Sequence, residues 1–285
     1  MHSFRNILVI LDEPPASASV LDRARWIAGR TGASVALACQ PGGRAEVEEW
    51  LRGVAGTGHE FAVLPEPGHV GIVREVMRGG HDLVMKAAVV EQGLLTHLRT
   101  SIDEHLLREC PAAVWLDRSG GMPAEAPVLA AVEPEPAGLA ADVLAAAVGM
   151  AAIAQTRLIV VHAWELEGES GLRGRALTQQ AEAEVDGLVA EARAARAAEL
   201  EALLTPHLGG PMVPELRLEK GQPDIVIPQL AAELGAGLLV MGSLARRGLA
   251  GLVMGNTAED VLPLTGCTLL ALKPAGFVSP IEPAG

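Results

Sequence analysis

The chain has 285 residues, enough for two domains with a core each, and a formal net charge of −13 at pH 7. An acidic surface repels phosphate backbones, so nucleic acid is excluded as an expected partner. Hydrophobic residues make up 49% and aromatics only 2%, so a core must be built from Ala, Val, Leu and Ile, as suits buried strands under Ala-rich helices.

The first apolar run, residues 7–11, has no polar alternation and predicts a strand buried on both faces. It ends in Asp12-Glu13-Pro14-Pro15, which reads as a strand end and not as a leader peptide. Residues 18–29 form an amphipathic segment with Val20, Leu21, Ala24 and Ile27 on one side, a helix. Strands follow at 34–39, 60–64, 82–86 and 113–116, with helices at 45–51, 70–77 and 101–108 between them.

Residues 119–127, Ser-Gly-Gly-Met-Pro-Ala-Glu-Ala-Pro, are a linker by composition, and the pattern then restarts. Strands are expected at 128–132, 158–162, 216–219, 238–241 and 268–272. Helices are expected at 139–154, 174–204, 224–234 and from the Gly-rich loop to about 264. The apolar stretch 143–154 lies between Asp142 and Arg157, too close together for a membrane span. Two five-strand βαβ runs in one chain imply an internal duplication, residues 1–118 and 127–274. Such alternation gives α/β architecture, here two tandem doubly wound five-stranded parallel sheets.

Cys39, Cys110 and Cys267 are isolated, with neither a disulfide framework nor a metal spacing, and fit a reducing cytoplasm. His97 and His105 lack ligand spacing, and no metal site is expected. His162 at a buried strand end reads as a hydrogen-bonded core histidine. The sequence contains no GxSxG, no GxxxxGK[ST] and no GxGxxG after a strand. No acid–base pair can be nominated, so the chain is read as a binding protein and not an enzyme.

In an open parallel sheet ligands sit at the carboxyl ends of strands, near the switch in strand order. That draws attention to the loop from Met241 through Gly242, Ser243 and Ala245 to Gly255, Asn256 and Thr257. Its glycines permit close backbone approach, and Asn256-Thr257 stand where a helix cap belongs, the makings of a phosphate cradle or of an ordinary capped connection.

The segment 241–272 resembles the C-terminal signature of the universal stress protein family. Met241, Gly242, Gly255, Ala258, Glu259, Val261 and Cys267 carry the likeness, with Val161-His162-Ala163 and Gly221-Gln222-Pro223 in support. With Leu-Leu-Arg-Glu-Cys-Pro in the first half and Gly-Asn-Thr-Ala-Glu in the second, the chain is similar to the tandem bacterial members. The resemblance implies a stress-response binding or regulatory protein, with ATP and Mg as the cofactor to expect if any. It implies that Glu133 faces the adenosine, that the backbone at Ala163 contacts the base, and that Met241 and Gly242 lie beneath the nucleotide, with Ser243 and Ala245 also among the binding-loop residues. Gly255, Asn256 and Thr257 would receive the phosphates.

Ala245 stands where the family's second loop glycine belongs, and Asn256 where Ser or Thr is usual. The first half departs further: Asp12 keeps the strand-one acid, but Lys86 replaces the first loop glycine and Leu98 the later one. A nucleotide is therefore expected in the second domain alone. A scaffold or adaptor without nucleotide is the alternative, and a slow ATPase ranks last. Family members pair through their fifth strands, which here implies a pseudo-dimer within one chain and leaves a further homodimer open; no membrane partner is expected.

Overall fold

The computed structural model describes residues 4–12, 14–54, 60–88, 101–118, 125–134, 137–207, 213–243, 245–246, 254–255 and 257–283. In the first half β1 (Asn6–Ile10), β2 (Ser34–Cys39), β3 (Ala62–Val63), β4 (Leu83–Ala87) and β5 (Ala113–Asp117) alternate with helices. These are α1 (Pro14–Thr31), α2 (Arg44–Val54), α3 (Gly68–Gly79) and α4 (Ile102–Glu109). The second half contributes β6 (Val128–Ala131), β7 (Leu158–Trp164), β8 (Glu215–Lys220), β9 (Leu238–Gly242) and, last, β12 (Thr268–Leu272). Its helices are α5 (Ala137–Ala154), α6 (Glu169–Arg175), α7 (Gln179–Leu204), α8 (Pro223–Leu234) and α9 (Thr257–Val261). A small ribbon, β10 (Ala245–Arg246) against β11 (Met254–Gly255), lies between β9 and α9.

The ten large strands form one sheet in the order β3-β2-β1-β4-β5-β12-β9-β6-β7-β8. Read inward from either edge, each half has its own strands in the order 3-2-1-4-5. Every pairing is parallel except β5 with β12, which run antiparallel with Trp115 opposite Leu270. The expected fifth strands thus meet edge to edge. Both faces of the sheet are covered: Ile7 and Val9 enter one apolar cluster, and Leu8 and Ile10 the other. Each cluster draws residues from both halves, so the cores run on across the seam. A fully buried Leu or Ile contributes about 1.5–3 kcal/mol, so the apolar strands hold the sheet.

The duplication also shows in how helices stop. Gly80 after α3 and Gly235 after α8 both adopt the left-handed conformation, at φ +61 and +60. Each closes the helix leading into the fourth strand of its half.

Two expected helices differ in the structure. The segment 174–204 is divided into α6 and α7, because the Thr178 hydroxyl accepts from the Ala181 amide at 3.2 Å and caps a new helix. The last helix has only five residues, and Leu262–Leu264 tighten into a 3₁₀ turn where Pro263 offers no amide. Most of the linker (119–124), and Gly93, His97 and Leu98, lie outside the described residues. No described helix is long and apolar enough to cross a membrane.

Candidate functional site

The strand order reverses direction between β6 and β9, because the chain leaves β6 toward β7 and β8 but leaves β9 toward β12. Carboxyl ends at such a switch border a crevice. Ala131 pairs with Met241 and with Val161, so Val132-Glu133, His162-Ala163 and Gly242-Ser243 gather at this end of the sheet. Met241 is buried in the apolar cluster with Leu129, Ala131, Ala258 and Val261. Glu133 is exposed and Ala163 half-buried. His162 is buried and its Nδ1 lies 3.0 Å from the Val132 carbonyl, to which it donates. The ring thereby clamps β7 to β6, as a core histidine.

Ser243 gives its amide to the Leu272 carbonyl at 2.8 Å. Its hydroxyl is buried without a hydrogen-bond partner among the described residues, and so is the Trp164 indole nitrogen at the end of β7. Such groups cost free energy unless something pairs with them. Gly242 has a different explanation. A Cβ there would lie 2.7 Å from the Leu139 Cδ2 of α5, so the glycine makes room for a packed side chain.

Ala245 stands opposite Gly255 in the antiparallel ribbon. The two loop positions expected to cradle phosphate therefore face each other as paired backbone. Thr257 opens α9, whose five residues make a weak dipole. Asn256 lies outside the described residues. The structure thus brings Glu133, Ala163, Met241, Gly242 and Ser243 to one end of the sheet, with Ala245, Gly255 and Thr257 in the segment that follows.

The equivalent switch in the first half lies between β1 and β4 and is differently furnished. Lys86 is buried near the end of β4, with Nζ 2.6 Å from Asp103 Oδ1 of α4 and 2.6 Å from the Ala87 carbonyl. The two side chains are 3% and 2% exposed. The sequence singled out Lys86 but gave no sign of Asp103 as its partner.

Glu259, part of the signature, turns out to join the halves. Arg108 of α4 grips it with two hydrogen bonds, 3.2 Å to Oε1 and 2.5 Å to Oε2. Burial pushes the Glu259 carboxyl up, and the guanidinium pulls it back. Beside the seam Asp117 accepts from Ser19 at 2.7 Å and from the Trp115 indole at 3.1 Å. A cluster that the sequence did not suggest also forms, from His69, His105 and Glu109. Only the i, i+4 spacing of His105 and Glu109 hints at it; His69 arrives from another helix.

The model of the universal stress protein family matches residues 126–273. The chain belongs to the universal stress protein family. Its two halves of like strand order make it a tandem member. It is 31% identical to Universal stress protein E of Escherichia coli (strain K12) over 74% of this chain and 66% of that protein. The chain thus spans about two thirds of that relative's length. With Universal stress protein E of Photorhabdus laumondii it shares 26% over 100% of this chain and 99% of the relative. Among solved structures, a functionally unknown protein from Pseudomonas aeruginosa PAO1 superposes with a TM-score of 0.72 at 25% identity, over 95% of this chain and 93% of that one. A universal stress protein from Archaeoglobus fulgidus gives 0.59 at 15% identity, over 94% and 97%, a likeness of fold. The family match falls on the half whose loop keeps the signature.

Proposed function

We propose that the protein is a stress-response binding or regulatory protein, not a catalyst, and that its second half holds one adenine nucleotide, with Mg, at the β6–β9 switch. The contrast between the two switch points carries this reading. At β4 a buried ammonium–carboxylate pair fills the position that is Gly242 at β9. At β9 the next residue, Ser243, keeps a buried hydroxyl that nothing described satisfies. The first half, on this reading, is structural. Glu133 and the backbone at Ala163 would meet the nucleoside, and Ser243, Gly255 and Thr257 would border the phosphates. The sequence nominates no acid–base pair for attack on a phosphate, so turnover is not part of the proposal.

A scaffold without nucleotide is the second reading. It is favoured by Leu139 packed against Gly242 and by the pairing of Ala245 with Gly255, which both reduce the room above the strand ends. Calorimetric titration of the full chain with Mg-ATP separates the two. One site per chain is expected, lost in Gly255→Leu while the far-ultraviolet spectrum is kept. Two equivalent sites would overturn the proposal, and no binding would leave the scaffold.

A further inference from the structure

We propose that His69, His105 and Glu109 form a binding site for a divalent transition-metal ion of the zinc class. His69 sits at the start of α3, and His105 and Glu109 lie one turn apart on α4. His69 Nε2 is 3.2 Å from Glu109 Oε2, and His105 Nδ1 is 3.3 Å from Glu109 Oε1. One ligand atom from each residue falls within 4.8 Å of the others, and no other such group of three occurs among the described residues.

The spacing suits one ion. Zinc bonds to imidazole and carboxylate are about 2.0–2.2 Å long, so neighbouring ligand atoms in a tetrahedron stand about 3.3 Å apart. Two imidazoles and a carboxylate with a position left for water is the open, three-ligand arrangement; a nitrogen and oxygen set without thiolate selects zinc-class ions over soft ones. The three side chains are 23%, 28% and 18% exposed, so an ion can enter from solvent while the helices hold the ligands.

The rings are stacked at 4.0 Å between centroids and 6° between planes. Ring lone pairs lie in the ring planes, and two nearly parallel planes do not meet at one ion, so binding tilts the rings out of the stack by side-chain rotation of His69 or His105 and parts their centroids to about 5 Å. Two imidazolium charges stacked at this separation repel, whereas a single cation can serve both lone pairs and the shared carboxylate. The site lies on the first half, apart from the residues proposed for nucleotide, and does not depend on that reading. By fixing α3 to α4 it would stiffen the half that carries no cradle.

The test uses the full, tag-free chain stripped with chelator. Zinc titration by calorimetry should show a high-affinity site of unit stoichiometry. His69→Ala, His105→Ala and Glu109→Gln should each weaken it at least about tenfold, with far-ultraviolet circular dichroism confirming the fold. Wild-type affinity in all three variants would overturn the proposal. Should a variant misfold, cobalt(II) on the wild type decides: intense visible d–d bands of a four-coordinate ion, displaced by zinc, support the site, and their absence overturns it.

Discussion

Lys273 follows β12, and its ammonium reaches across to the first half to donate to the Leu107 carbonyl while lying 4.7 Å from the ring of Phe277 in its own segment. Burial lowers its pKa to about 8 from 10.5, although Cys110, Glu259 and Glu109 pull the other way. Between those two values the unfolded chain binds a proton that the folded protein has released. Stability owed to this group is therefore complete above 10.5 and lost as pH falls through about 8. Urea unfolding of the wild type and Lys273→Met at pH 7.5 and 9.5 should reveal it. The wild type should gain up to about 1.4 kcal/mol per pH unit relative to the variant over that window. A pH-independent difference would mean that the ammonium is not desolvated.

Between elements, the buried Lys86–Asp103 pair ties β4 to α4, and Arg108–Glu259 ties α4 to α9. The two contacts differ in kind. Lys86 and Asp103 are out of water, so removing Lys86 takes from the buried Asp103 carboxylate the ammonium 2.6 Å away and leaves it the more distant charge of Arg118. Lys86→Met should cost about 3–5 kcal/mol. The double variant Lys86→Met/Asp103→Leu should recover a substantial part, since two apolar groups need no pairing. Chemical denaturation of the three proteins measures this. A single variant as stable as the wild type would show that Asp103 finds compensation elsewhere. The capping box at the start of α4, with the Glu104 amide 3.2 Å from Ser101 Oγ, holds the helix that carries Asp103, His105, Arg108 and Glu109.

At the scale of the molecule, the antiparallel β5–β12 pairing turns two five-stranded sheets into one of ten strands. An apolar strand such as Thr268–Leu272 left at an edge is a template for other chains. The isolated second half, from about residue 127, should therefore dimerise through β12 or aggregate. The seam also holds buried polar groups, Asp117 from the first half and Thr268 from the second, and the separated second half would expose Thr268. Light scattering would read the outcome, and a well-behaved monomer would show that β12 does not need β5.

The sequence by itself determined the alternation of strands and helices, the duplication and the location of the signature loop. These are local properties: apolar runs, helical periodicity and glycines at fixed offsets are written within a few residues of one another. Strand 268–272 was legible for that reason. The break at Thr178 was hidden because polar, Ala-rich residues on either side suit a helix equally well. Only the tertiary structure decided which distant groups meet. Asp103 lies 17 residues from Lys86, and Glu259 lies 151 from Arg108; no periodicity links them. It decided that Gly242 lies under the Leu139 side chain, that Ala245 faces Gly255, and that His69 joins His105 and Glu109. A pair of side chains becomes a contact only when the packed sheet fixes the helices that carry them, and that packing sums interactions over the whole chain.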